Sequence, residues 1–294
     1  MEKLTIAIQK SGRLTDKTLN ILSQCGLEFH IKKDVLFASC ASYPAELMLV
    51  RDDDIPAYIA NGTCDLGFVG ENVLEEKVLK NNNYDLDIPI IKKMNYGKCR
   101  LSIAVPKEQY FESVKDLEGK VIATSYPNIL NDFLKAQGVD AKATMINGAV
   151  EITPKLNVAD AICDIVSTGG TLKANGLKEV AQIYQSECVL VESPKSICDE
   201  KRKMIDQLLQ RLDGVLSAQN TKYVMMNASK ASLDKIKEIL PGAEEPSIMP
   251  LAQSSDKVAV HIVCKEEVFW KTIEQLKAAG ASSILVLPIE KYIQ

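Results

Sequence analysis

The sequence predicts an α/β protein with two lobes, followed by a smaller ferredoxin-like βαββαβ module. Three patterns carry this. Short apolar strands alternate with amphipathic helices up to residue 191. A strongly periodic helix follows, and residues 221–294 then run strand–helix–strand twice.

In chain order, Leu4–Ile8 reads as a strand and Leu14–Cys25 as a helix. Leu47–Val50 is a strand, Asp54–Ala60 a helix opened by acidic residues, and Leu66–Val69 a buried strand. This alternation predicts a mostly parallel sheet covered by helices. Arg100–Val105 forms another strand, which Pro106 breaks. Beyond it come a short helix at Val114–Leu117, a strand at Val121–Ala123 and a helix at Ile129–Gln137 closed by Gly138. Strands follow at Ala161–Val166, Val180–Tyr184 and Cys188–Val191. Two units joined near residue 105, with a return crossing near residue 185, predict a cleft between lobes, a place that ligands favour.

From near Asp199, Met204, Ile205, Leu208, Leu209, Leu212, Val215 and Leu216 recur at spacings of one and three or four, which marks a core-facing connector helix. The module after it contains strand Tyr223–Met226, helix Leu233–Leu240 stopped by Pro241-Gly242, and strand Ser247–Leu251. Strand Val258–Cys264, helix Glu266–Ala279 ended by Gly280, and strand Ser283–Leu287 complete it.

At 294 residues the chain is long enough for two or three compact units, and 46% hydrophobic with 25% charged residues is an ordinary globular balance. Aromatic residues are 5% with Trp270 the single tryptophan, which argues against a stacking surface for single-stranded nucleic acid. The net charge of −4 and the lack of a long basic block assign no nucleic-acid role. Anions must then be held by local clusters and backbone N–H groups. None of the eight cysteines forms a C-x-x-C pair, and most lie in apolar runs. They read as small buried hydrophobes in a reducing compartment rather than zinc ligands or nucleophiles. His30 and His261 are isolated and make no metal site. Met1-Glu2-Lys3 leads straight into a strand, and no apolar stretch approaches the length of a membrane span. The expectation is a cytoplasmic protein without a membrane partner.

The segment Asp160 to Leu172 carries the chemistry. An apolar strand with acids at its start and middle opens into Ser167-Thr168-Gly169-Gly170-Thr171, and a helix begins near Leu172. Glycines admit close approach of backbone N–H groups to an anion, hydroxyls add donors, and the helix adds the positive end of its dipole. A carboxylate just upstream of such a cradle suits a phosphosugar; a ligand-free Gly-rich turn is the alternative. Neither G-x-x-x-x-G-K-[ST] nor G-x-G-x-x-G occurs.

Read whole, ADAICDIVSTGGTLKANGL (Ala159 to Leu177) resembles the phosphoribosyl-pyrophosphate motif of the ATP phosphoribosyltransferases. IAIQKSGRL (Ile6 to Leu14), RDDDIP (Arg51 to Pro56), DLGFVGENVL (Asp65 to Leu74), CRLSIAVP (Cys99 to Pro106) and IATSYP (Ile122 to Pro127) are similar to family segments, in the family's order. So are PGAEEPSIMPLA (Pro241 to Ala252) and GASSILVLPIEK (Gly280 to Lys291). The resemblance spans essentially the whole chain and is to the long form of the family.

It implies a two-lobed, periplasmic-binding-protein-like catalytic core with a C-terminal regulatory domain. Lobe I would take residues 1–105 plus about 185–220, lobe II 106–184, and the regulatory domain 221–294. The implied reaction joins N1 of the adenine of ATP to C1 of phosphoribosyl pyrophosphate, with magnesium, releasing pyrophosphate. The resemblance places the 5′-phosphate on Ser167, Thr168, Gly169, Gly170 and Thr171. Asp164, with Glu151 and Asp160, would serve the ribose hydroxyls or magnesium, with Asp164 facing the metal directly or indirectly. Arg13, beside Lys10 and Ser11, would grip pyrophosphate or the ATP phosphates. Arg51, Glu71 and Arg100 would contact nucleotide from the first lobe, with Tyr126 and Asn128 as weaker candidates. Histidine, the implied feedback inhibitor, is placed near Asn227, Ser247, Val263 and Ser283, and a dimer or hexamer is implied. Two rival readings are a two-lobed enzyme of the prephenate dehydratase type with an amino-acid sensor, and a solute-binding module.

Overall fold

The computed structural model describes residues 2–32, 35–81, 87–240, 242 and 245–293. Pro241, Ala243 and Glu244 of the PGAEEPSIMPLA segment, including the expected helix-stopping proline, lie outside the described residues. By contacts the chain divides into two compact units, Met1–Ile205 and Asp206–Gln294.

The first unit holds two sheets. Its opening elements are β1 (Leu4–Gln9), α1 (Thr15–Gln24), β2 (Phe37–Ser39), β3 (Ala45–Val50), α2 (Ile55–Ala60), β4 (Leu66–Gly70), α3 (Glu71–Asn81) and β5 (Ile90–Lys93). Then come β6 (Cys99–Pro106), β7 (Val121–Thr124), α4 (Pro127–Gln137), β8 (Lys142–Met145), β9 (Ala161–Val166), α5 (Gly170–Ala174), β10 (Leu177–Ser186) and β11 (Cys188–Glu192). The six-stranded sheet has the order β2-β3-β1-β4-β11-β5, with β1, β3 and β4 parallel. The five-stranded sheet has the order β10-β6-β9-β7-β8, with β7, β8 and β9 parallel.

The apolar runs become strands buried on both faces, as βαβ connections require. Leu4, Ile6 and Ile8 of β1 are fully buried, and each such side chain contributes about 1.5–3 kcal/mol relative to exposure. α4 closes as its sequence predicts, on Gly138 at φ +64°.

The junction between lobes differs from the expectation. β6 pairs with β9 and β10, so the chain has already entered the second sheet by residue 99, not 105. Pro106 marks where the strand ends, but only its pairing partners decide which sheet it joins. The return crossing falls at Ser186 to Cys188, between β10 and β11, near the expected place. The crossings are bonded to each other: Asn95 N–H donates to the Glu187 carboxylate at 2.9 Å, and Cys188 N–H donates to Tyr96 O at 2.9 Å.

α6 (Asp199–Ala218) is the expected connector, and the boundary between the two units falls inside it. Its first turn is held within the first unit, where Lys201 Nζ lies 2.9 Å from both Asp65 oxygens.

The second unit adds β12 (Thr221–Ser229), α7 (Leu233–Ile239), β13 (Ser247–Pro250), β14 (Lys257–Lys265), α8 (Glu266–Ala278) and β15 (Ser282–Pro288). Its antiparallel sheet runs β13-β14-β12-β15, with first and third strands in the middle, the arrangement of a βαββαβ split unit. Alternation decides its faces. Val224, Met226, Val260 and Ile262 form a core with Ile236 of α7 and Phe269 and Leu276 of α8. Tyr223, Met225, Asn227, His261 and Val263 take the opposite side of their strands. Among the described residues, no helix is long and apolar enough to cross a membrane.

Candidate active site

The parallel strands β1, β3 and β4 end at one edge of the first sheet. The loops leaving them carry Lys10, Ser11 and Arg13, then Arg51 to Asp53, then Glu71. Such carboxyl edges receive ligands because helix N-termini and backbone N–H groups collect there. Lys10 N–H donates to Val50 O at 2.7 Å, tying the first two loops. Arg13 Nη1 donates to Gly97 O at 2.7 Å in the crossing segment. Burial, and then the neighbouring Asp53 carboxylate, push the Asp52 carboxyl above its ordinary value, with Arg13 opposing.

The second sheet presents a matching edge. β7 ends before Ser125-Tyr126, β8 before Ile146-Asn147, and β9 before Ser167. The Ser167–Thr171 loop turns through Gly169 at φ +80°, ψ 4°, a left-handed conformation suited to glycine, and α5 starts at Gly170. A Cβ on Gly169 would meet nothing nearer than Val166 Cγ1 at 4.0 Å, so the space in front of the loop is open.

Asp164 lies on β9 opposite Ser102 and is half-buried. Burial raises its pKa, the Ile165 N–H donated to its Oδ1 at 2.7 Å opposes, and the Glu151 charge raises it further. Glu151 stands two residues after Ala149, whose φ +48°, ψ 39° is unusual for a residue with a Cβ. Such a strained position persists where the surrounding structure over-determines it. Tyr126 brings the edges together. Burial, then Asp52 and Asp53 from the first sheet and Asp164 from the second, drive its phenol well above the ordinary range.

A cavity of about 500 Å³ is lined by Arg51, Asp52 and Glu76 from the first sheet's side and by Tyr126, Asn128 and Asn147 from the second. Another, of about 470 Å³, is lined by Glu71, Lys93, Lys98, Arg100, Ser167 and Glu187.

A family model described as ATP phosphoribosyltransferase matches residues 51–214, and one described as HisG, C-terminal domain, matches residues 218–291. The chain belongs to the ATP phosphoribosyltransferase family. Members of this family are pentosyltransferases of histidine biosynthesis. Among solved structures, the chain is similar to the ATP phosphoribosyl transferase (HisG:HisZ) complex from Thermotoga maritima. The identity is 26%, the coverage 71% of this chain and 98% of that one, and the TM-score 0.59. It is also similar to the alkanesulfonate-binding protein SsuA from Xanthomonas axonopodis pv. citri bound to MOPS. There the identity is 16%, the coverage 74% and 75%, and the TM-score 0.48.

Several residues expected from the ATP phosphoribosyltransferase resemblance take other places. Asp160 precedes β9 at the opposite edge from the loop, about 13 Å along the strand from Asp164. It accepts the Val121 N–H at 2.8 Å and lies 3.8 Å from Lys120 Nζ, so its carboxylate is engaged at that end of the sheet. Arg100 belongs to the second sheet, not the first lobe. Its Nε and Nη2 donate to the two Glu179 oxygens at 2.6 Å each, and its Nη1 donates to Ser167 O at 3.1 Å. The guanidinium therefore braces the glycine-rich loop. Glu179 also accepts from Ser102 Oγ at 2.8 Å, and the bonds from Arg100 hold its carboxyl below its ordinary value. Glu71 pairs with Lys93 at 3.2 Å. Arg51 is 80% exposed, 3.7 Å from Asp53, and lines the first cavity, whereas Glu71 and Arg100 line the second. The Asn128 amide is committed to Glu76.

The four residues placed near histidine fall on three successive rows of the C-terminal sheet. Val263 faces Tyr223, Ser247 faces His261, and Asn227 faces Ala259 and Ser282. Ser283 sits in the bulge beside that last pair at φ +51°. Asn227 and Val263 stand about 13 Å apart along the strands. Two cavities of this unit, beside Tyr292 and beside Trp270, include none of them.

Glu179, Ser102, Asp52, Asp53 and Glu76 were not singled out from the sequence. Asp52, Asp53 and Ser102 stood in quoted motifs. The others carry no local signal, because their partners lie far away along the chain. No group of three or more His, Cys, Asp or Glu that could hold a metal occurs among the described residues. Asp164 and Glu151 are near enough for one charge to raise the other's pKa. That pair fits magnesium carried in on substrate phosphates, since magnesium keeps its waters and needs one or two carboxylates.

Proposed function

We propose that the chain transfers the 5-phosphoribosyl group of phosphoribosyl pyrophosphate to N1 of the adenine of ATP, releasing pyrophosphate. The observation that carries this is the Ser167–Thr171 loop, open and left-handed at Gly169, with Asp164 on the strand beneath it. The loop receives the 5′-phosphate through N–H groups and hydroxyls. Asp164 and Glu151 face the ribose or the magnesium. Arg13, Lys10 and Ser11 face pyrophosphate or the ATP phosphates, and Arg51 serves the nucleotide from the first cavity. Adenine N1 carries no proton, so the attack requires no general base. Positive charge on the sugar and negative charge on the leaving group are stabilised by placement of fixed groups. Magnesium, when bound, neutralises the departing pyrophosphate.

With the family established, the dehydratase-type and solute-binding readings fall away, and the assay that tests the reaction is pyrophosphate release with and without ATP. ATP-dependent release is expected; release indifferent to ATP would refute the reading. Replacing Glu179 by Gln should loosen the brace on the loop and weaken phosphoribosyl pyrophosphate binding about 3- to 10-fold, with ATP binding unchanged. Calorimetry showing equal loss for both ligands would contradict that role.

The domain assignment stays part of the proposal: lobe I, lobe II and a regulatory unit from residue 221, with histidine as feedback ligand, a dimer or hexamer as the assembly and the cytoplasm as the location. A chain ending at Asn220 should no longer bind histidine in a direct binding measurement. Undiminished binding would move the sensor out of the C-terminal unit. Binding linkage also requires that substrates change histidine affinity by the factor by which histidine changes theirs.

A further inference from the structure

Helix α4 has no N-cap of its own. The residue before it is Tyr126, whose side chain makes no capping bond, and Pro127 brings no N–H into the first turn. The N–H groups of Asn128 and Ile129 are satisfied from the other lobe. Glu76 of α3, 52 positions earlier, accepts from Asn128 N–H at 2.9 Å and from Ile129 N–H at 3.0 Å. The Asn128 side chain completes the contact, with Nδ2 donating to Glu76 Oε1 at 2.7 Å and to the Glu76 carbonyl at 3.1 Å. The Glu76 residue is only 9% exposed. Burial raises its carboxyl pKa, while the bonds from Ile129 and Asn128 work against the rise.

This cap joins helices that belong to two different sheets. α3 leaves the carboxyl end of β4 in the first sheet, and α4 leaves the carboxyl end of β7 in the second. Parting the sheets would strip two helix N–H groups and a buried carboxylate of their partners at once. Loose side-chain ion pairs would stretch and re-form, but a cap onto backbone N–H groups is lost within about an ångström of added separation. The contact also forms a wall of the 500 Å³ cavity, where Tyr126 stands among Asp52, Asp53 and Asp164.

We propose that Glu76 is an interlobe positioning residue. By capping α4 from the opposite lobe it sets the separation of the two sheet edges, and through that the affinity of the first cavity for its ligand. The inference rests on the proposed transferase function for its kinetic readout alone.

The test uses full-length protein carrying Glu76→Ala, with Glu76→Gln as the milder variant should the first fold poorly. Spin labels at the exposed Lys17 of α1 and Lys135 of α4, in a background with reactive cysteines replaced, report the interlobe distance without substrate. The wild type should give one narrow distribution, and Glu76→Ala one broadened toward longer distances. In kinetics, KM for ATP should rise about tenfold in Glu76→Ala with kcat changed less than about threefold. Glu76→Gln should fall between, because its Oε1 still accepts from Asn128 while its amide N–H opposes that of Ile129. Unchanged distances with a lowered melting temperature would reduce Glu76 to a structural cap and overturn the proposal, as would an unchanged KM for ATP beside broadened distances. A wild type that does not use ATP would refute the transferase function instead, and the distance measurement would still decide the role of Glu76.

Discussion

Replacing Asp164 by Asn is expected to lower turnover at least a hundredfold, the scale of losing one pre-placed electrostatic group at a reacting centre. Asp164 sits on a central strand, flanked by β6 and β7, where burial and the Glu151 charge both disfavour its ionised form. Holding a charge against that opposition costs free energy that a cationic partner would offset, either the developing positive charge of the ribose or magnesium. Asparagine keeps the shape and still presents an oxygen toward the Ile165 N–H, but it brings no charge. The fold should therefore survive, and the melting temperature should hold or rise, because an unfavourable buried charge has gone. The sign of the pH effect follows. A raised pKa means that Asp164 takes up a proton above the usual carboxylate range as pH falls. Wild-type kcat should drop through that limb, and the residual activity of D164N should lack it. Wild-type turnover in D164N at saturating magnesium and substrates would remove Asp164 from the mechanism.

Gly169→Val should weaken phosphoribosyl pyrophosphate about 10- to 100-fold and leave ATP binding nearly untouched. The protein itself leaves room for a side chain at this position, so crowding against neighbouring atoms is not the cause. The cause is conformational. At φ +80° a β-branched residue is strained by about 1–3 kcal/mol, and relaxing that strain turns the loop's N–H groups away from the phosphate. The valine branches would in addition occupy the open space through which the phosphate approaches. Gly169→Ala separates the two effects, since it keeps most of the backbone strain with little of the bulk. Calorimetry with each ligand measures the outcome, and equal losses for phosphoribosyl pyrophosphate and ATP would show that the loop holds something else.

Most elements, though not β2, α3, β5 or β8, and the glycine-rich loop were legible as local patterns. The apolar run Ala161–Val166 placed β9 to the residue, and the S-T-G-G-T run that follows it turns left-handed at Gly169 and enters α5 at Gly170. The βαββαβ order of the C-terminal unit was legible because periods of two and of three to four, like apolar runs, are local properties of a chain. Such periods do not say which strand lies beside which. Tertiary structure alone decided that β6 belongs to the second sheet, and with it that Arg100 bonds Ser167 O of the loop while paired with Glu179. It also decided that Asp160 and Asp164, both acids of one motif, stand at opposite ends of a strand, one bonded to a sheet edge and the other beneath the loop. The trans cap of α4 by Glu76 and the gathering of Asp52, Asp53 and Asp164 around Tyr126 have the same origin. Hydrogen bonds and charges act over a few ångströms of space whatever the distance along the chain, and residues brought together only by folding leave no spacing in the sequence to read.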